Sequence, residues 1–153
     1  MTTKVESRLE SLGIVLPPVP LPVAAYVPAK RVGSILYSSG QTAWDNGLLR
    51  YPGRVGESVT LDEAVLSARI CAINCISALR SIANLDQIEI LKVTGFVNAA
   101  ADFGDHPAVV NGASELIIEA FGERGRHARC AVGVGSLPSC ASVEIEILAA
   151  IAD

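Results

Sequence analysis

Near its C-terminal end the chain reads Val143-Glu144-Ile145-Glu146-Ile147, a strict alternation of β-branched and acidic side chains. Successive side chains of a strand point to opposite faces. The pattern therefore predicts a strand over Ser142–Ile151, with Val143, Ile145 and Ile147 on a covered face and Glu144 and Glu146 on the other. A sheet built this way needs a layer on one side only, and two helical stretches can supply it. Thr60-Leu61-Asp62-Glu63 is a capping box, opening a helix that runs to about Ala83 with its apolar stripe at Leu61, Val65, Ala68, Ala72, Cys75, Leu79 and Ile82. Asn84 suits the position just past its end. Asp105 with Pro107 opens a second helix, proline being tolerated in a first turn, and this one closes near Phe121-Gly122.

The remaining strands follow from turn chemistry and apolar runs. Ala24–Gln41 reads as two strands turning at Pro28–Arg31. Asp45-Asn46-Gly47 is a tight hairpin signal, so a third strand is expected at Leu48–Tyr51. Ile88–Val97 and Ala128–Val134 complete the set. The order is β-β-β-α-β-α-β-β, an α+β arrangement with two helices on one face of a mostly antiparallel sheet. Ahead of it, Val5, Leu9 and Leu12 keep helical spacing and Gly13 stops the helix. Pro17, Pro18, Pro20 and Pro22 then force an extended strap. Residues 1–16 read as an N-terminal helical extension and 17–153 as a single domain.

Composition narrows the partners. Half the residues are hydrophobic but only 5% are aromatic, an apolar excess that favours an oligomer. The net charge is −4, and beyond Lys30-Arg31 the basic residues gather only in the looser group Arg124, Arg126, Arg129. That argues against nucleic acid. Cys71 and Cys75 sit four apart on a predicted helix, but His106 and His127 add no ligand spacing, so the cysteines read as small buried residues and no metal is expected. No signal-peptide region and no apolar run of membrane-spanning length is visible, which predicts a cytoplasmic protein with free thiols.

The chemistry concentrates on the last two strands. In Ala128–Val134 one face holds Cys130, Val132 and Val134 and the other holds Arg129, Ala131 and Gly133. If the β-branched faces meet the helices, the opposite face carries one arginine, two acids and small residues. A hairpin closed around Ser136-Leu137 places Arg129 directly across from Glu144. Such a pair is either an ordinary cross-strand ion pair or a site, with the guanidinium fork taking a substrate carboxylate and the glutamate holding water.

Several fragments together resemble the Rid/YjgF family. Ser39-Gly40-Gln41 after an apolar strand is similar to its Ser-Gly-Gln signature. His127-Ala128-Arg129, Ser136-Leu137-Pro138 and Val143-Glu144-Ile145-Glu146 are similar, in order and spacing, to its C-terminal signature. Tyr26 lies where the family has a tyrosine, and Asn111 close to a family asparagine. The resemblance implies a chorismate-mutase-like fold, a homotrimeric barrel with sites between subunits, and hydrolysis of reactive 2-imino acids to 2-keto acids without a cofactor. It implies Arg129 as carboxylate clamp, Glu144 as the residue that holds water, and Tyr26, Ser39, Gly40 and Asn111 as substrate-binding, Tyr26 from across the interface. Residues 1–16 resemble the extension of a longer subgroup. Many deaminating members carry a cysteine two residues after the arginine. Here Ala131 stands there and the cysteine is Cys130, expected on the core face. The alternatives are a 2-keto acid binding module without turnover and a ribonuclease or translation inhibitor. The latter predicts basic grooves and paired histidines, which the sequence lacks.

Overall fold

The computed structural model describes residues 1–22 and 24–152. Its elements are α1 (Lys4–Ser11), β1 (Ala29–Val32), β2 (Ile35–Ser38), β3 (Trp44–Asp45), β4 (Leu48–Leu49), α2 (Leu61–Arg80), β5 (Ile88–Asn98), α3 (His106–Phe121), β6 (Ala128–Val134) and β7 (Val143–Ile151). The fold is α+β. A five-stranded sheet in the order β1-β2-β7-β5-β6 carries the helices on one face, and β3 and β4 form a separate hairpin. All pairings in the large sheet are antiparallel except β5 with β6.

Local chemistry explains most boundaries. Thr60 accepts from the Glu63 N–H while the Glu63 carboxylate takes the Thr60 N–H, so α2 starts where the capping box places it. Asn46 and Gly47 both take positive φ, 49° and 78°, the twist a two-residue hairpin needs. The β1–β2 turn lies at Gly33-Ser34 and not at Pro28–Arg31, because Gly33 alone there adopts positive φ (60°) while Ala29–Val32 is already strand. Helix α3 lies close on both neighbours. A Cβ on Gly112 would come within 2.1 Å of the Val65 carbonyl oxygen in α2, and one on Gly95 within 2.4 Å of Val110. Cys71 and Cys75 are fully buried and donate to the carbonyls of Val143 and Ile145. They are core residues.

The N-terminal segment is docked. Asp86 accepts from the Lys4 and Val5 N–H groups at 2.9 and 3.1 Å, Arg80 pairs with Glu6 at 3.3 Å, and Ser77 and Arg80 both bond the Pro17 carbonyl.

Two expectations about the last strands fail. Strands β6 and β7 do not form a hairpin. β7 inserts between β2 and β5, and β6 pairs with the far side of β5 as an edge strand, Val93 lying opposite Arg129 and Phe96 opposite Glu144. The faces of β6 are also reversed. Arg129, Ala131 and Gly133 face the helices, whereas Cys130 and Val132 are exposed on the open face. On an edge strand beneath a closely packed helix, room decides. A Cβ on Gly133 would stand 2.5 Å from His106 Nε2, so α3 needs small residues there and the β-branched side chains turn outward. In β7 the assignment holds, with Val143, Ile145 and Ile147 buried and Glu146 exposed.

Candidate functional site

Within one chain the residues singled out fall into two groups on opposite faces of the sheet. The first gathers where the β6 edge meets α3. The Arg129 Nη1 donates to Asn111 Oδ1 at 2.7 Å and Ser114 Oγ at 3.3 Å, and Nη2 donates to the Pro107 carbonyl at 3.3 Å. Arg129 projects from an edge strand and is received by the polar stripe of α3. Among the described residues no carboxylate comes within ion-pair distance of it. Beside it lies a surface depression of about 250 Å³ lined by Ser114, Ile118, Arg126, His127 and Arg129. A guanidinium oriented by neutral acceptors keeps its full charge and spare N–H groups for an anion.

The second group gathers on the open face around Glu144. The Ser39-Gly40-Gln41 stretch wraps β7, Gln41 exchanging backbone hydrogen bonds with Ile145. That brings Gly40 against the Glu144 carboxylate so closely that a Cβ at 40 would lie 2.9 Å from its Cδ. Burial, reinforced by neighbouring Glu146, pushes the Glu144 carboxyl above the ordinary range. The Ser39 hydroxyl donates to the Val27 carbonyl at 2.6 Å and its N–H to the Pro28 carbonyl. Ser39 thereby holds the segment that carries Tyr26, whose ring is half exposed. Half-buried Phe96 lies opposite Glu144. Reading the sequence brought out Asn111, Arg129, Ser39, Gly40 and Glu144, but missed Phe96, Ser114 and the link through His127. The one available signal was helical spacing, since Asn111 and Ser114 are three apart and share a face of α3.

Among the described residues no cluster of three or more His, Cys, Asp or Glu is placed to hold a metal ion. No helix there is long and apolar enough to cross a membrane.

Comparison with known proteins gives consistent results. Residues 6–150 match the family described as "YjgF/chorismate_mutase-like, putative endoribonuclease". The protein TCP17 of Trypanosoma cruzi is 39% identical over 148 residues, 95% of this chain and 92% of that protein. The crystal structure of Atu1372 from Agrobacterium tumefaciens superposes with a TM-score of 0.91 at 40% identity, covering 97% of this chain and 92% of the other. A Shewanella oneidensis structure described as a "putative endoribonuclease" gives 0.92 at 33% identity, covering 96% and 99%.

Proposed function

The chain belongs to the YjgF/chorismate mutase-like family, and on that premise we propose that it hydrolyses small 2-imino acids to 2-keto acids and ammonia, at sites completed between the subunits of a homotrimer. The observation that carries the reading is Arg129, a guanidinium held by Asn111, Ser114 and Pro107 with no carboxylate partner among the described residues. Its fork takes the substrate carboxylate. Glu144, half-buried with its carboxyl pushed up by burial and by neighbouring Glu146, suits a group that takes up and returns a proton.

The separation of these two residues supports a site between subunits. They occupy opposite faces with β5 between them, so they can act on one substrate only if the β6 edge of one chain meets the open face of another. That open face exposes Tyr37 and Val132 to about half their area and is suited to being covered. In the reaction, water adds through oxygen to the imine carbon. The first proton it loses passes by way of Glu144 to the nitrogen, giving a carbinolamine. The remaining hydroxyl proton then passes to the nitrogen by the same route as the C=O bond forms, the C–N bond breaks, and ammonia leaves the 2-keto acid. Arg129 and Asn111 orient the substrate, and Ser39, Gly40 and Tyr26 shape the pocket around Glu144. Orientation alone contributes about 7–11 kcal/mol in favourable cases, enough for a substrate that already hydrolyses in water.

The test is release of ammonia and keto acid from enzymatically generated 2-imino acids. Activity in the native protein, its loss in Arg129→Lys and in Glu144→Gln, and its return when those two variants are unfolded and reassembled together are the expected results. Failure of the mixture to recover would place both residues' work within one subunit. A native protein that binds keto acid without turnover would leave a binding module.

A further inference from the structure

His127 takes no part in the chemistry above, yet with Ser114 it forms a polar connection behind Arg129 whose donor direction follows from the neutral imidazole. His127 Nδ1 lies 2.6 Å from the Gly125 carbonyl oxygen. A carbonyl only accepts, so Nδ1 carries the proton and, in the neutral ring, Nε2 is the acceptor. Nε2 lies 2.9 Å from Ser114 Oγ, so the serine hydroxyl donates to it. The Ser114 lone pairs are then left to accept from Arg129 Nη1, which can only donate. The connection therefore runs in one direction, from Arg129 through Ser114 and His127 to the Gly125 carbonyl.

Local sequence builds this arrangement. Helical serines commonly return their hydroxyl proton to a carbonyl three or four residues back, which would leave Ser114 free to swing away from the arginine or to compete with it for Asn111 Oδ1. His127 takes that proton instead. The carbonyl that fixes His127 belongs to Gly125, where a Cβ would stand 2.6 Å from the Ile117 carbonyl oxygen, so only glycine fits against α3 at that point. Ser114 is 8% exposed, which keeps water from replacing the histidine as its acceptor. With Nη1 committed to Asn111 and Ser114 and one Nη2 donor committed to Pro107, the uncommitted donors are the Nε–H and the second Nη2–H.

We infer that His127 is a positioning residue for the substrate carboxylate: held in the Nδ1–H tautomer by Gly125, it orients Ser114 and thereby fixes which donors Arg129 offers. This rests on the reading of Arg129 as the carboxylate clamp, but its geometric core can be measured without any ligand. Nitrogen-15 NMR of the native protein should show His127 with a protonated Nδ1 and an accepting Nε2. It should also show slow rotation of the Arg129 guanidinium, which His127→Phe and Ser114→Ala each accelerate at unchanged melting temperature. With pyruvate as the probe in calorimetry, both variants should bind roughly ten-fold more weakly, the effect of about one lost hydrogen bond. In imino-acid turnover KM should rise with kcat held. His127→Gln, whose carboxamide oxygen can accept from Ser114, should recover most of the affinity, and the Ser114→Ala/His127→Phe double variant should be no worse than either single one. Guanidinium rotation and pyruvate affinity unchanged in His127→Phe, or a native His127 protonated on Nε2 alone, overturn the inference. If the native protein neither binds pyruvate nor turns over imino acids, the functional reading fails, and the guanidinium signal still decides the positioning role.

Discussion

Substituting Gly40 by alanine tests whether the position of the Glu144 carboxylate sets turnover. The new methyl would lie 2.9 Å from Glu144 Cδ, 3.1 Å from Oε2 and 3.2 Å from Cγ. Non-bonded carbon atoms settle at about 3.5–4.0 Å, so the carboxylate must retreat by roughly half an ångström or more. The atoms in the way end a flexible side chain, so the fold can absorb this. The loss of chain freedom from Gly to Ala returns about 0.4–1 kcal/mol, and the melting temperature should move by no more than about 2–4 °C. Catalysis is less tolerant. A misplacement of about 1 Å can reduce the rate on the order of 100-fold, so a shift half as large should lower kcat by about ten-fold. KM should change little, because the Arg129 that takes the substrate carboxylate comes from another chain and is not displaced. The assay is steady-state keto-acid release, with thermal unfolding in parallel. In a Glu144→Gln background the same substitution should have no further effect, since the displaced group is already inactive. An unchanged kcat in Gly40→Ala, or an equal loss in both backgrounds, would remove Glu144 from the reaction.

Three other outcomes are expected. Glu144→Gln should slow turnover by about 10²–10⁴-fold. Because the folded carboxyl is raised, its stabilising protonation is lost as pH rises through the folded value, so the variant should unfold at a higher temperature than the native protein above the carboxylate range, with the gain vanishing at acid pH. Although partial burial opposes ionisation of Asp86, the Lys4 and Val5 N–H groups hold its pKa below the usual value, so its support of α1 is present above the ordinary aspartate range and lost as pH falls through the folded value. Asp86→Ala should speed amide exchange in α1 at neutral pH and change nothing at strongly acid pH. A thiol reagent should spare Cys71 and Cys75, burial pushing the Cys75 thiol up to about 12, and should label exposed Cys140 quickly, while slow labelling of Cys130 would mark the open face as covered in the assembly.

What the sequence revealed was what short stretches decide for themselves. Thr60 with Glu63, and Asn46 with Gly47, specify their structures through contacts within a few residues, and both were legible. The alternation in β7 was legible too, because burial on one face imposes it. The partner of β7 was not. Equal distance from the Ser136-Leu137 turn suggested that Arg129 faced Glu144, but that inference needs the two strands to be neighbours, and β5 separates them. On β6 the side-chain pattern also misled. Outward Val132 and inward Arg129 and Gly133 reflect the approach of α3, a contact between distant segments that strand periodicity does not report. Arg129 and Glu144 could be named in advance because their chemistry is distinctive, and Asn111 only because it falls close to an asparagine of the family that the chain resembles. Ser114 and its link to His127 could not, since their significance lies in a hydrogen bond across 13 residues of chain.

The placement of β7 also governs how this molecule can assemble. Latest in sequence among the described strands, it lies at the centre of the sheet, bonded to β2 on one side and β5 on the other. Until residues 143–151 are in place, the β1–β2 hairpin and the β5–β6 pair are separate fragments with unpaired inner edges. Synthesis from the N-terminus therefore exposes the β2 edge for most of the time the chain is being made, and the β5 edge from its completion until β7 follows, a period in which premature pairing with other nascent chains is the principal hazard. Closing the sheet depends on contacts of long sequence separation, so folding should be slow for a chain of this size. A truncation removing β7 would take away the keystone of the sheet and leave two incomplete pieces.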